Sequence, residues 1–258
     1  MRDIYGKIKR TRIRAIRLRQ QVRAKWLQRA IGQGSYIPPE VSDDDFAHQI
    51  TNIVSRPEVK VLIEIGSSSG EGSTSAIIRG LRKKKSWNLH LLEVDPLRFE
   101  SLRRKFHKKA GVYIHQYSSV SISEYPTPEE VIEFYNSTPT NLNRRPIETI
   151  LKWLQEDKSN ILNSNLAELN GINQIKSDFE IDRFDFALID GSEFTGFADL
   201  RALFGAKYIM LDDVNAFKCN QAYKFLLGDP GYKLEHENWK LRNGFAVFSR
   251  VDLPLIEV

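Results

Sequence analysis

Apolar and polar positions along the chain follow two periods, and the chain switches between them in turn. Val59–Ile65, Leu89–Val94, Val112–Gln116, Phe184–Ile189 and Ala206–Leu211 are short, largely apolar runs, the pattern of strands covered on both faces. Thr74–Lys84 and Pro96–Lys109 instead repeat apolar residues at helical spacing, and Pro96 suits a first helical turn. An earlier helix is expected from an N-cap at Ser42, with Asp45 three positions on, to near Pro57. Strands alternating with helices indicate an α/β, doubly wound, mostly parallel sheet with helices on both faces. Tyr232–Glu237 and Gly244–Arg250 read as a terminal antiparallel pair.

Two segments stand outside this alternation. Residues 119–178, between the third and fourth strands, are rich in Asn, Ser, Thr and Pro and far longer than a plain crossover. They contain two helical pieces, Pro128–Tyr135 and Pro146–Asp157. Such an insert is either an embellishment or a lid. The lid is the better reading, because connections at strand C-termini line the ligand crevice of such sheets. Residues 2–31 read as a basic helix with Ile4, Ile8, Ile16, Val22, Trp26 and Leu27 at loose helical spacing, followed by a linker with Gly32, Gly34, Pro38 and Pro39. The expected organisation is an extension, 1–35, and one domain, 36–258.

Charge sharpens that division. The chain of 258 residues has 38 Lys and Arg against 33 Asp and Glu, a net charge of +5. Residues 1–35 hold eleven of the basic residues and one acid, Asp3, so the extension carries +10 and the rest of the chain −5. An anionic membrane surface or an acidic partner is therefore expected to meet the extension. An enzyme gripping nucleic acid would carry such charge on its body, which makes nucleic acid the weaker expectation. One cysteine, Cys219, precludes an intramolecular disulfide and reads as a small buried hydrophobe. The charged start has no apolar secretory core, and the expected location is the cytoplasm, at most peripheral to a membrane.

The candidate chemistry lies at strand ends. In Val61-Leu62-Ile63-Glu64-Ile65-Gly66-Ser67-Ser68-Ser69-Gly70-Glu71-Gly72-Ser73-Thr74 a buried strand runs into a Gly/Ser loop that opens a helix, whose free N–H groups favour an anionic group. Glu93 ends the next strand, 29 residues after Glu64, where an acid can accept both hydroxyls of a ribose. Together they indicate an adenosine-containing ligand. The loop is neither G-x-G-x-x-G nor a phosphate loop with G-K-[ST]. Phe184–Asp190 and Tyr208–Asp213 are apolar strands ending in acids, so Asp190, Asp212 and Asp213 are expected on one sheet edge. Carboxylates so close need a cation or shared protons, and hard oxygen donors suit Mg²⁺, Mn²⁺ or Ca²⁺. A plainer alternative is that Asp212 and Asp213 merely cap a turn.

The form E-x-G-x-x-x-G resembles the first motif of class I S-adenosylmethionine-dependent methyltransferases, and the resemblance spans roughly residues 58–250. It implies a Rossmann-like sheet of seven strands with the last antiparallel. It also implies that Gly66, Ser67, Gly70 and Ser73 wrap the methionine part of S-adenosylmethionine, with Glu64 orienting that loop. Glu93 would hold the ribose, Ser118 or Ser119 would lie near the adenine, and Asp190 would lie beside the donor. The Asp190, Asp212 and Asp213 set is similar to that of the metal-dependent O-methyltransferases, of the catechol and macrolide-sugar types. There it implies a divalent ion that activates a hydroxyl. Glu193 stands where many relatives have histidine, which leaves it as base or ligand, or the metal as lost. The implied reaction is methylation of a hydroxyl on a small molecule or glycan, with Asp190 or Glu193 taking the proton. The alternatives are an N- or nucleic-acid methyltransferase, which lacks its usual N/D-P-P-Y/F motif here, or a non-catalytic, membrane-docked scaffold that keeps the fold.

Overall fold

The computed structural model describes residues 41, 43–164 and 166–251. The basic extension 1–35, its membrane or acidic-partner contact, the linker and the Ser42 cap lie outside the described residues. The first described helix, α1 (Asp45–Val54), is capped by Asp44, whose carboxylate accepts from the Ala47 N–H at 3.0 Å. Asp44 thus has the capping role expected of Ser42.

Seven strands follow: β1 (Val61–Ile65), β2 (Asn88–Leu92), β3 (Val112–His115), β4 (Phe186–Ile189), β5 (Tyr208–Asp212), β6 (Tyr232–Asn238) and β7 (Phe245–Arg250). They form one sheet in the order β3-β2-β1-β4-β5-β7-β6. All neighbours up to β5 pair in parallel, and β7 runs antiparallel to both β5 and β6. The expected mostly parallel, Rossmann-like sheet with an antiparallel last strand is what forms. The chain reverses sheet direction at β1, which lies between β2 and β4, so a crevice opens there at the strand C-termini.

Each strand alternates its buried residues between two layers. On one face Leu62, Leu91, Leu188, Met210 and Val247 pack with α1, α2 (Ser73–Leu81) and α3 (Pro96–Phe106). On the other Ile63, Ile189, Ile209 and Phe248 pack with α6 (Gly171–Asp178), α7 (Gly196–Leu203) and α8 (Phe217–Gly228). Pattern reading did not declare these last three helices. Many of their buried positions are small or polar, such as Gly196, Ala198, Asp199, Cys219 and Ala222, so apolar and polar faces contrast weakly.

The segment after β3 divides in two. Its first part carries α4 (Pro128–Ser137), fixed by a Thr127–Glu130 capping box, and α5 (Ile147–Asn163). Tyr125, Val131, Leu142, Ile150, Leu154 and Ile161 of this part form an apolar cluster with Phe194 and Ala216 from the loops after β4 and β5. Its last helix, α6, belongs to the sheet: Ile172 and Ile175 sit in the sheet's core, so α6 is the crossover from β3 to β4. Among the described residues no helix is long and apolar enough to cross a membrane.

Candidate active site

A cavity of about 380 Å³ opens at the C-terminal ends of β1, β2 and β4. Gly66, Ser68, Glu93, Ser118, Ser119, Asp190 and Glu193 line it, together with Arg98, Tyr117 and Tyr125. Its far wall comes from α5, through Trp153, Asp157, Asn160 and Ile161. The sequence reading expects the insert 119–178 over the crevice but names none of these four residues, because an amphipathic pattern alone does not say which face meets a ligand.

The Gly/Ser loop is built from behind. The Gly66 and Ser67 N–H groups both donate to the Leu92 carbonyl, at 3.1 and 2.9 Å, which pins the loop to β2. Gly66 has φ +84°, and a Cβ there would lie 2.1 Å from the Asp190 carbonyl oxygen. At Gly70, φ +76°, a Cβ would meet Phe106 and Leu102. Both glycines are therefore required by close packing of the protein against itself, where the sequence suggested close approach to a ligand.

Glu64, Ser67, Gly70 and Ser73 are buried behind the loop and do not line the cavity. Glu64 accepts from the Thr74 hydroxyl at 2.6 Å, while its Oε1 has no partner among the described residues. Burial pushes its carboxyl up to about 7, against the opposing pull of hydroxyl donors.

Glu93 faces the cavity. The Ser68 N–H donates to its Oε2 at 2.7 Å and the Asp95 N–H to its Oε1 at 2.8 Å, so both oxygens are fixed in direction. Each carboxylate oxygen retains acceptor capacity for a further donor. Ser118 and Ser119 are buried beside it, and the Ser118 hydroxyl donates to the Val120 carbonyl at 2.6 Å.

Asp190, Asp212 and Asp213 converge as expected, but around protein cations. The Lys218 ammonium lies 2.9 Å from Asp190 Oδ1 and 2.7 Å from Asp213 Oδ2. Arg242 donates to both oxygens of Asp212, at 3.2 and 3.3 Å, and to Asp44 at 2.9 Å. Asp213 adopts φ +55°, which turns it back toward Lys218. These residues do not fit the expected Mg²⁺, because ammonium and guanidinium donors already hold their oxygens. No cluster of metal-ligating side chains forms among the described residues. A Mg²⁺ ion at Asp190, Asp212 and Asp213 is therefore not supported, and Lys218 and Arg242 balance their charge in this structure. Neither Lys218 nor Arg242 was singled out from the sequence. Once α8 is placed, Lys218 stands out: a lysine in the first turn opposes the helix dipole and calls for a local counter-charge.

Glu193 also lines the cavity, and its carboxylate accepts from the Lys218 backbone N–H at 3.2 Å, at the start of α8. Burial pushes its carboxyl up to about 7, with Lys218 opposing the rise. The same desolvation pushes Asp212 up to about 7. Cys219 is buried against the Ile189 carbonyl with its thiol pushed upward, in keeping with an inert role. Buried His90 and half-buried His115 form a pair, 3.2 Å apart, away from the cavity lining.

No protein-family model matches the chain, and no curated protein does. Solved structures resemble it over most of its length. An O-methyltransferase from Bacillus cereus in complex with SAH has a TM-score of 0.49 at 16% identity, over 88% of each chain. A putative O-methyltransferase from Klebsiella pneumoniae has a TM-score of 0.49 at 15% identity, over 88% of each chain. The SAH-bound methyltransferase PaMTH1 of Podospora anserina has a TM-score of 0.47 at 15% identity, over 83% of this chain and 81% of its own. The likeness is one of fold alone, and the chain's own strand order establishes its seven-stranded, mostly parallel sheet.

Proposed function

We propose that the cavity binds S-adenosylmethionine and that the protein transfers its methyl group to a hydroxyl of a small molecule or glycan. One observation carries the reading. Glu93, at the end of β2, is aimed into a ligand-sized cavity by two backbone N–H groups and stands beside the Gly66 loop. That is the position at which a doubly wound sheet presents an acid to a ribose diol. Ser118 and Ser119 border the same cavity, on the side where an adenine ring would rest.

When bound, the donor supplies an electrophilic sulfonium methyl. The work left to the protein is to hold donor and acceptor in line, to exclude water and to take one proton. The α5 wall and Tyr125 restrict the cavity opposite the strand ends. Glu193 is the proposed base: it lines the cavity, and a carboxyl near 7 is matched to accepting a hydroxyl proton at neutral pH. The oxygen forms its bond to the methyl carbon, the sulfur keeps the electron pair of the broken bond, and the proton goes to Glu193. Asp190, held by Lys218, orients the acceptor.

Calorimetry with S-adenosylhomocysteine (SAH) tests the donor site. Saturable one-to-one binding is expected, and its absence in folded protein rejects the proposal. If Glu193 is the base, methyl transfer rises as pH passes through about 7, and Glu193→Gln removes that limb.

A further inference from the structure

Buried carboxylates need compensation, and here the chain supplies it internally. The three strand-end acids come from two strands: Asp190 follows β4, Asp212 ends β5 and Asp213 follows it. One side chain from α8, Lys218, reaches between them and bridges Asp190 and Asp213 at 2.9 and 2.7 Å, with 11% of that side chain exposed. Arg242 completes the set through Asp212. Lys218 and Arg242 together bring two positive charges, the charge of one divalent ion.

The geometries exclude each other. A magnesium ion requires oxygens at about 2.0–2.1 Å in an octahedron. The ammonium lies within hydrogen-bond distance of both the Asp190 and the Asp213 oxygens, and so stands where an ion shared by those two carboxylates would sit. A lysine in the first turn of a helix is electrostatically unfavourable. Here the Glu193 carboxylate at the same helix start and the two bridged aspartates offset that cost.

We propose that Lys218 is a resident cation that takes the place of a divalent metal among Asp190, Asp212 and Asp213. It acts as a positioning residue, holding the Asp190 carboxyl in place at the cavity wall. What Asp190 then does for an acceptor rests on the methyl-transfer reading. The occupancy of the carboxylate cluster by Lys218 does not.

The test is titration of the full-length protein with Mn²⁺, read by calorimetry and by the loss of free Mn²⁺ signal in electron paramagnetic resonance. Wild type should show no saturable site up to about 1 mM, the weak end of biological divalent-ion sites. Lys218→Ala should gain one site, binding at least tenfold tighter, and adding Asp213→Asn should remove it. Lys218→Arg should keep a cation in place and stay metal-free. One stoichiometric Mn²⁺ in wild type, lost in Asp213→Asn, overturns the proposal. So does a folded Lys218→Ala that gains no site. If Lys218→Ala does not fold, the wild-type and Lys218→Arg titrations decide alone: no site in either supports it, and one site in wild type overturns it. SAH titration of the same samples reads the donor site separately. A protein that binds neither Mn²⁺ nor SAH would sink the proposed function and leave the cation assignment standing.

Discussion

The Ser192 hydroxyl donates to the Asp157 carboxylate at 2.6 Å and also accepts from the Phe194 N–H at 3.1 Å. One side chain therefore fastens α5 to the loop after β4, across the cavity. Ser192→Ala leaves a largely buried carboxylate short of a donor, a loss of about 1–3 kcal/mol. Hydrogen exchange should accelerate in residues 147–163 and not in β1 or β4. Uniform acceleration along the chain would show that Ser192 serves global stability and does not specifically hold the inserted helix.

Glu93→Gln removes the charge and one of two acceptor oxygens while keeping the shape of the side chain. Charge-assisted hydrogen bonds contribute about 1.5–3 kcal/mol, so SAH affinity of the folded variant should fall by roughly tenfold or more, and about 1–3 kcal/mol of stability should go with it, because the new NH2 faces the Ser68 or Asp95 N–H. Equal affinity in the variant contradicts the ribose role.

Glu64, Glu193, Asp199 and Asp212 are each pushed up to about 7, chiefly by burial. A carboxyl raised on folding keeps its proton longer in the folded state than in the unfolded chain. Its favourable contribution is complete below the unfolded value, near 4, and is lost as pH rises through about 7. The melting temperature of the ligand-free protein should therefore drop by several degrees from pH 6 to pH 8. Glu64→Gln, which cannot titrate, should make that slope shallower. A melting temperature that rises over this interval contradicts the assignment.

Gly66→Ala places a Cβ 2.1 Å from the Asp190 carbonyl oxygen at φ +84°. Backbone must move, and roughly 3 kcal/mol or more of stability should be lost in denaturant unfolding. SAH binding and folding should fail together. A stable Gly66→Ala protein with SAH affinity alone reduced would mean that this glycine serves the ligand after all.

Removing residues 1–35 takes away +10 of charge and leaves the described domain whole. SAH affinity should be unchanged, and co-sedimentation with phosphatidylserine vesicles should be lost. Vesicle binding equal in both forms removes the extension from that role.

The legible parts of the molecule are those set by local pattern. β1 and β4 are runs of apolar residues that only a two-sided cover accommodates, and parallel pairing then puts Glu93, Asp190 and Glu193 on one edge. The partners of the acids were not legible. Arg242 belongs to the β6–β7 turn, 30 residues from Asp212, and reaches it from φ +52°, a conformation no apolar pattern announces. Lys218 reads as one more solvated lysine until the phase of α8 turns it inward. Trp153 and Asp157 lie on a helix whose register over the cavity depends on packing of the inserted core.

Gly66 rests directly on the main chain of Asp190, so the two ends of the cavity meet along a backbone seam. The span between whatever occupies the Glu93 end and whatever meets Asp190 is set by peptide geometry, not by rotamers. The opposite wall is carried by the segment inserted between β3 and α6, whose apolar side packs on Phe194 and Ala216 from the loops after β4 and β5. Substitutions in that segment can reshape what is admitted while the reach across the floor stays constant. Under the proposed function, selectivity and reactivity would then be housed in different parts of the chain, free to change at different rates.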